Sequence, residues 1–176
     1  LVLSRYGRVH ALVNNAARDP KVTAGGADSQ EWSRFETFSL EAWRTDIEVG
    51  VTGAFLCSQV FGTEMARQGH GVILNIASDL AIIAPDQRLY RKPDVAEDRQ
   101  PVKPVSYSVS KTALIGLTRY LSTYWAERGV RVNALCPGGV RTDQPEAFLA
   151  NVTYRIPMGR MARADEYHGA VVFLLS

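Results

Sequence analysis

Only two cysteines occur in the 176 residues, Cys57 and Cys136, with neither a Cys-x-x-Cys pair nor a histidine at ligand spacing beside them. That scarcity excludes a disulfide framework and a cysteine-rich zinc site, and it fits a reducing, cytoplasmic compartment. The three histidines, His10, His70 and His168, share no ligand spacing either, so no metal site is predicted. No run of about 18 apolar residues exists and no basic segment leads into an apolar one at the start, so no membrane span or leader is predicted. An excess of one charge is also missing, since 20 basic residues face 18 acidic ones for a net charge of +2. Such balance advertises neither a nucleic-acid nor an anionic-membrane surface. A glycine-rich phosphate turn of the G-x-G-x-x-G kind is absent as well.

What is present is a core. At 46% hydrophobic residues the chain can bury one substantial interior, which predicts a single domain over 1–176. Residues 9–14, 72–77 and 130–135 are short, mostly apolar runs suited to buried parallel strands. Between them lie apolar residues at helical spacing. One helix is predicted from Ser39 to about Gln68, stopped by Gly69, with Trp43 and Phe61 along it. Another runs from Ser106 toward Gly129, carrying Leu114, Leu117, Leu121, Tyr124 and Trp125 on one stripe and Tyr120 nearby, all read as core. Two shorter helices are expected at 146–150 and from about 164 to the end. Residues 18–38 read as an irregular connection, and 84–104 as a charged, proline-bearing insertion. Leu1 falls in what reads as the last turn of a helix and Ser176 ends an apolar helix without a stop signal, so both ends read as cut. Alternation of strand and helix predicts an α/β fold, a doubly wound parallel sheet covered on both faces in three layers.

Ligands of such sheets bind outside the carboxyl ends of the strands. Three loops qualify, and they carry Asn15 and Ala16, then Ser78, then Pro137, Gly138, Gly139 and Thr142. The next helix opens with Tyr107-Ser-Val-Ser-Lys111, which sets a phenol and an ammonium one turn apart on one face. A free phenol near pKa 10 is a poor proton catalyst at neutral pH, but a nearby ammonium favours the phenolate. Ser78 can hydrogen-bond a substrate oxygen beside that phenol. Alone the Tyr-x-x-x-Lys spacing is a weak signal among seven tyrosines; its company on the other two loops strengthens it. Asn133, inside a strand, is read as satisfying neighbouring backbone groups.

Five motifs in order resemble those of the short-chain dehydrogenase/reductase superfamily, and the likeness runs over nearly the whole chain. Asn14-Asn15-Ala16-Ala17 resembles its Asn-Asn-Ala-Gly, Ser78 follows Asn75-Ile-Ala77 as its catalytic serine does, and Tyr107 with Lys111 matches its active-site pair. Pro137-Gly138-x-x-x-Thr142 is similar to its nicotinamide-side loop, and Ile156-Pro-Met-Gly-Arg160 with residues 171–176 to its closing segment. The resemblance implies a Rossmann-like fold, incomplete at both ends, and hydride transfer between NAD or NADP and a secondary alcohol or ketone. It makes Tyr107 the general acid/base, Lys111 the residue that binds the nicotinamide ribose and lowers the tyrosine pKa, and Ser78 the group that positions the carbonyl. Asn14, Asn15, Ala16, Ala77, Tyr107, Lys111, Pro137, Gly138, Gly139, Val140 and Thr142 would bind the cofactor. A homodimer or homotetramer paired through the two long helices is implied too.

Three departures stand out. The family's Thr-Gly-x-x-x-Gly-x-Gly turn is absent, and Gly50 stands where a catalytic asparagine is usual. Insertion 84–104 separates Ser78 from Tyr107 by more than the usual spacing, and it holds Arg88, Arg91, Lys92, Arg99 and Lys103 among acidic residues. It reads either as a substrate lid or as a solvated loop. With residues 143–149 it resembles a branch found in surface-sugar biosynthesis, which points to a small-molecule substrate, a nucleotide-activated or acidic sugar. A non-catalytic family member that kept the fold is the competing reading, favoured by Gly50 and by the missing turn.

Overall fold

Three strands, β1 (Ala11–Asn14), β2 (Gly71–Ile76) and β3 (Val130–Leu135), form a parallel sheet in that order in the computed structural model, which describes residues 2–20 and 31–176. The register sets Asn14 beside Asn75 and Ile76 beside Leu135, so all three strands end along one edge. A short helix, α1 (Val2–Tyr6), precedes β1. Its end at Gly7, in the left-handed region, matches the expected final helical turn. The predicted connection at 18–38 contains two 3-10 turns, Glu31–Ser33 and Phe35–Thr37; its residues 21–30 lie outside the described set.

Helix α2 spans 40–68. Ser39 caps it, its hydroxyl accepting from the Ala42 amide at 3.0 Å, and Gly69 ends it at a φ of 80°. The periodicity does not foretell its two π turns, Glu48–Thr52 and Ser58–Gly62. Each holds a buried glycine, and at Gly62 an added Cβ would overlap the Trp125 ring. Each bulge thus sets its glycine against a side chain of the neighbouring helix or of the residue that ends it. That neighbour is α3 (Val105–Tyr124), followed by a 3-10 turn that ends at Gly129. Three 3-10 turns, Asp79–Ala81, Gln87–Tyr90 and Glu97–Arg99, lie between β2 and α3, and helices α4 (Glu146–Thr153) and α5 (His168–Leu175) follow β3.

Strand alternation assigns the faces. Val130 and Val132 join Met65, Ile73, Leu121 and Trp125 in the core beneath α2 and α3. Residues of the other parity, Arg131 and Asn133, donate from their side chains to the Leu174 carbonyl oxygen of α5. Helices thus cover both faces, giving three layers. Tyr124 and Tyr120 depart from the expected core: both are 63% exposed, stacked on each other on the outer face of α3. The helical stripe turns away from the sheet at these positions, and Trp125 alone of the three aromatics is buried. Among the described residues no helix is long and apolar enough to cross a membrane.

A polar ladder ties the layers together. Asn14 Nδ2 donates to Asn75 Oδ1 at 2.8 Å and to Ser58 Oγ of α2 at 3.1 Å, while Asn75 Nδ2 donates to Thr118 Oγ1 of α3 at 2.8 Å. Asn75 is fully buried, so each broken bond would leave a desolvated group. Asn75→Ala is expected to destabilise the protein by about 2 kcal/mol or more, read from the denaturant midpoint.

Candidate active site

Tyr107 and Lys111 lie on the first turns of α3, packed against the end of β2. Lys111 is buried and its Nζ donates to the Ile76 carbonyl oxygen at 2.8 Å. From there the ammonium stands 5.8 Å from the centre of the Tyr107 ring. Ser78, two residues past β2 in extended backbone, stands beside the phenol, close enough to influence its ionisation. Its own hydroxyl donates to Asp79 Oδ1 at 2.8 Å and accepts from the Leu80 amide at 3.2 Å. The structure therefore brings together all three side chains that the spacing singled out.

Their electrostatics differ from expectation in one respect. Burial pushes the Tyr107 phenol above its ordinary 10; the polar Ser78 hydroxyl beside it draws it partly back, and the charges of Asp19 and Asp79 push it further up. Burial is the largest cause, and the Lys111 ammonium, held on the Ile76 carbonyl, is not among the charges that move the resting phenol. Lys111 is itself pushed below 10.5 by burial, with Asp19 opposing and Lys103 adding to the effect.

A second ammonium lies nearer the ring. Lys103 Nζ sits 3.7 Å from the Tyr107 ring centre and 2.6 Å from Asp19 Oδ1. Tyr90 is close by as well. Burial, followed by the charges of Asp19, Tyr107 and Asp79, pushes its phenol up. None of these roles was read from the sequence, although Tyr90 is the one aromatic residue of 84–104 and that singularity was a usable signal.

Insertion 84–104 is packed rather than merely solvated. Pro101, Pro104 and Gln100 are buried; the Gln100 side chain bonds Val95 and both backbone groups of Lys92. Val102 N donates to Ser33 Oγ and Lys103 N to Gln87 Oε1. Helix α4 closes on the insertion through Phe148, whose ring lies 5.7 Å from that of Tyr90. Arg155 just beyond binds Asp86 at 2.8 Å, and Arg88 and Arg155 hold that carboxyl well below the usual range. A cleft of about 430 Å³ runs along the outer side of the insertion, bordered by Ser33, Arg34, Gln87, Lys103 and Val105. Ser78, Tyr107 and Lys111 do not border it.

The loops expected to bind a cofactor share this edge. Asn15 and Ala16 are exposed after β1, whereas the Asn14 side chain is spent on the polar ladder. Ala77 is buried, its amide on Leu135 O at 2.8 Å, and the Asp79 amide donates to Pro137 O at 3.0 Å, joining the loops after β2 and β3. Gly138 O accepts from the Tyr167 hydroxyl, and Gly139 and Val140 are held to Ala162 by a short parallel bridge. Thr142 is exposed, its amide on Gln144 and its hydroxyl on Asp143.

Gly50 lies buried in the first π turn, where a Cβ would stand 3.4 Å from that of Ser110. A longer side chain there would press on α3. Beside it, a cavity of about 10 Å³ is bordered by Tyr107, Lys111, Ser110 and Asp46. Buried Asp46 accepts from Ser106 Oγ at 2.5 Å and pairs with Arg18 at 3.4 Å.

Known proteins show the same architecture. Residues 1–89 match the family model described as short chain dehydrogenase, and residues 94–176 one described as enoyl-(acyl carrier protein) reductase. An uncharacterized oxidoreductase of Thermotoga maritima is 33% identical over 178 residues, covering 96% of this chain and 60% of its own. The crystal structure of a short chain dehydrogenase from Leptospira borgpetersenii with bound NAD+ aligns with a TM-score of 0.83 at 28% identity, over 99% of this chain and 61% of that one. A gluconate 5-dehydrogenase from Burkholderia cenocepacia in complex with NADP and tartrate gives 0.77 at 27% identity, over 99% and 60%. The chain thus spans about 60% of the length of the relatives it matches.

Because the Asp19 carboxylate opposes ionisation of Tyr107, its neutralisation lowers the phenol pKa. Asp19→Asn is expected to move the Tyr107 ring-carbon NMR titration to lower pH, with Tyr107→Phe used for assignment.

Proposed function

We propose, from the premise that the chain belongs to the short chain dehydrogenase family, that its protein is a nicotinamide-dependent oxidoreductase acting on a secondary alcohol or ketone. The observation that carries this reading is the convergence of Ser78, Tyr107 and Lys111 at the carboxyl edge of a parallel sheet. A polyhydroxylated substrate of the sugar or sugar-acid class is supported by the gluconate 5-dehydrogenase likeness. The two free cysteines, Cys57 and Cys136, suit a cytoplasmic location.

The residues suit the nicotinamide half of NAD or NADP. Lys111 has three N–H donors and spends one on Ile76 O, which leaves two for ribose hydroxyls. Ala16, Gly138 and Gly139 let a ligand come close to backbone at the ends of β1 and β3. Bound there, NAD or NADP supplies the hydride donor or acceptor.

Tyr107 exchanges the accompanying proton with the substrate oxygen through its hydroxyl, and Ser78 holds that oxygen beside the phenol. Lys111 stabilises the phenolate when the proton leaves. Asp79 orients the serine hydroxyl, and α4 with insertion 84–104 limits water access above the site. A second copy of the chain fits the outer face of α2 and α3, where Phe55, Leu56, Val60, Tyr120 and Tyr124 are exposed, in a homodimer or homotetramer.

Lys111→Met in the full-length protein is expected to weaken NAD or NADP binding tenfold or more, as loss of charge-assisted bonds implies, with turnover falling alongside. Unchanged binding measured by calorimetry overturns the role given to Lys111. Tight nucleotide binding with no oxidation of any polyol or sugar acid by the wild type favours instead a non-catalytic member, the reading that Gly50 supports.

A further inference from the structure

The proton chemistry above leaves Lys103 unused, although it lies nearer the Tyr107 ring than Lys111 does, 3.7 Å against 5.8 Å from the ring centre. Its side chain is only 12% exposed, so its ammonium has surrendered most of its hydration and needs an anion in return. Asp19 provides one at 2.6 Å from a position 48% exposed, at the edge of the site. The cation is thus fixed and enclosed, while the anion is the peripheral, solvated partner.

Its placement is built rather than incidental. Buried Pro101 and Pro104 flank the segment, and the amides of Val102 and Lys103 are tied to Ser33 and Gln87 at 3.1 and 2.8 Å. Tyr90, from the same insertion, brings a phenol kept protonated by burial, a neutral donor suited to hydroxyl groups. The remaining local charges limit the ligand. Asp79 stands next to Ser78, Arg18 is engaged by Asp46, and Lys111 is turned to the Ile76 carbonyl on the nucleotide side, so among the described residues Lys103 is the cation left to meet a substrate anion. A single negative charge fits, which selects a carboxylate over a phosphate monoester.

We propose that Lys103 anchors a carboxylate of the substrate beside the reacting carbon, and that Asp19 occupies the same subsite until substrate displaces it. The insertion then selects sugar acids over neutral polyols: the carboxylate takes the place of Asp19 on Lys103, a hydroxyl meets Tyr90, and the carbon bearing the reacting oxygen faces Ser78 and Tyr107. This deepens the dehydrogenase reading and rests on it for the identity of the reacting centre.

Binding tests the subsite without requiring turnover. With the full-length protein and saturating NADH or NADPH, the Kd values of D-gluconate, D-galactonate and L-threonate are measured by calorimetry against those of the corresponding alditols. Wild type is expected to bind at least one acid ten times more tightly than its alditol, Lys103→Met to lose that preference, and Lys103→Arg to keep most of it. Asp19→Asn, which removes the internal competitor, is expected to tighten the acid severalfold. Equal affinities in wild type, or a preference that survives in a folded Lys103→Met protein, overturns the proposal. If Lys103→Met does not fold, weaker acid binding in Asp19→Asn overturns it instead. Preferential acid binding with no oxidation of any acid or alditol leaves the subsite standing and defeats the dehydrogenase reading.

Discussion

The hydrogen bond from Lys111 Nζ to the Ile76 carbonyl oxygen joins the opening turns of α3 to the last residue of β2. A helix lying on a sheet is otherwise free to roll about its axis, and a roll would carry Tyr107 away from the strand end. The bond sets the rotation, and the Asn75 to Thr118 hydrogen bond, two turns further along, sets it again. With both in place Tyr107 meets Ser78, which lies just two residues beyond Ile76. The parallel register does the rest, because it ends β1 and β3 level with β2 and delivers their loops to the same edge.

Two cations and two anions surround the phenol in a partly dehydrated setting, and their arrangement decides its resting state. Lys111 is turned to a carbonyl and Lys103 is paired with Asp19, so the loss of water dominates, with the charges of Asp19 and Asp79 adding to it. The phenol therefore rests protonated, and in the proposed reaction it would give that proton to a carbonyl oxygen being reduced. In the oxidative direction of that reaction it would first have to lose the proton. Displacement of Asp19 by a substrate anion would exchange one negative charge for another, so Lys103 stays balanced throughout.

Local signals carried most of the fold. Ser39 and Gly69 mark the ends of α2 because a cap and a left-handed stop act within a few residues, and the three apolar runs mark strands because a sheet covered on both faces demands them. The Tyr107 and Lys111 pair was legible since one helical turn determines which side chains share a face. Long-range packing was not. The first π turn of α2 faces Ser110 and the second Trp125, and the Asn14 amide turns inward because Ser58 and Asn75 wait there. The Lys103 to Asp19 pair joins two loops whose meeting no periodicity encodes. The phenol pKa took the opposite direction for a related reason: sequence spacing shows which charges are near, while burial depends on everything folded around them.

Proton exchange at Tyr107 is most directly tested by single-turnover kinetics of Tyr107→Phe in the full-length protein, with nucleotide binding measured in parallel. The substitution removes one oxygen from the partly buried ring and leaves the contacts of Lys111 with Ile76 in place. Nucleotide affinity close to wild type with hydride transfer slowed at least ~100-fold, the scale of general acid/base catalysis, is the expected result. Hydride transfer at the wild-type rate would contradict it.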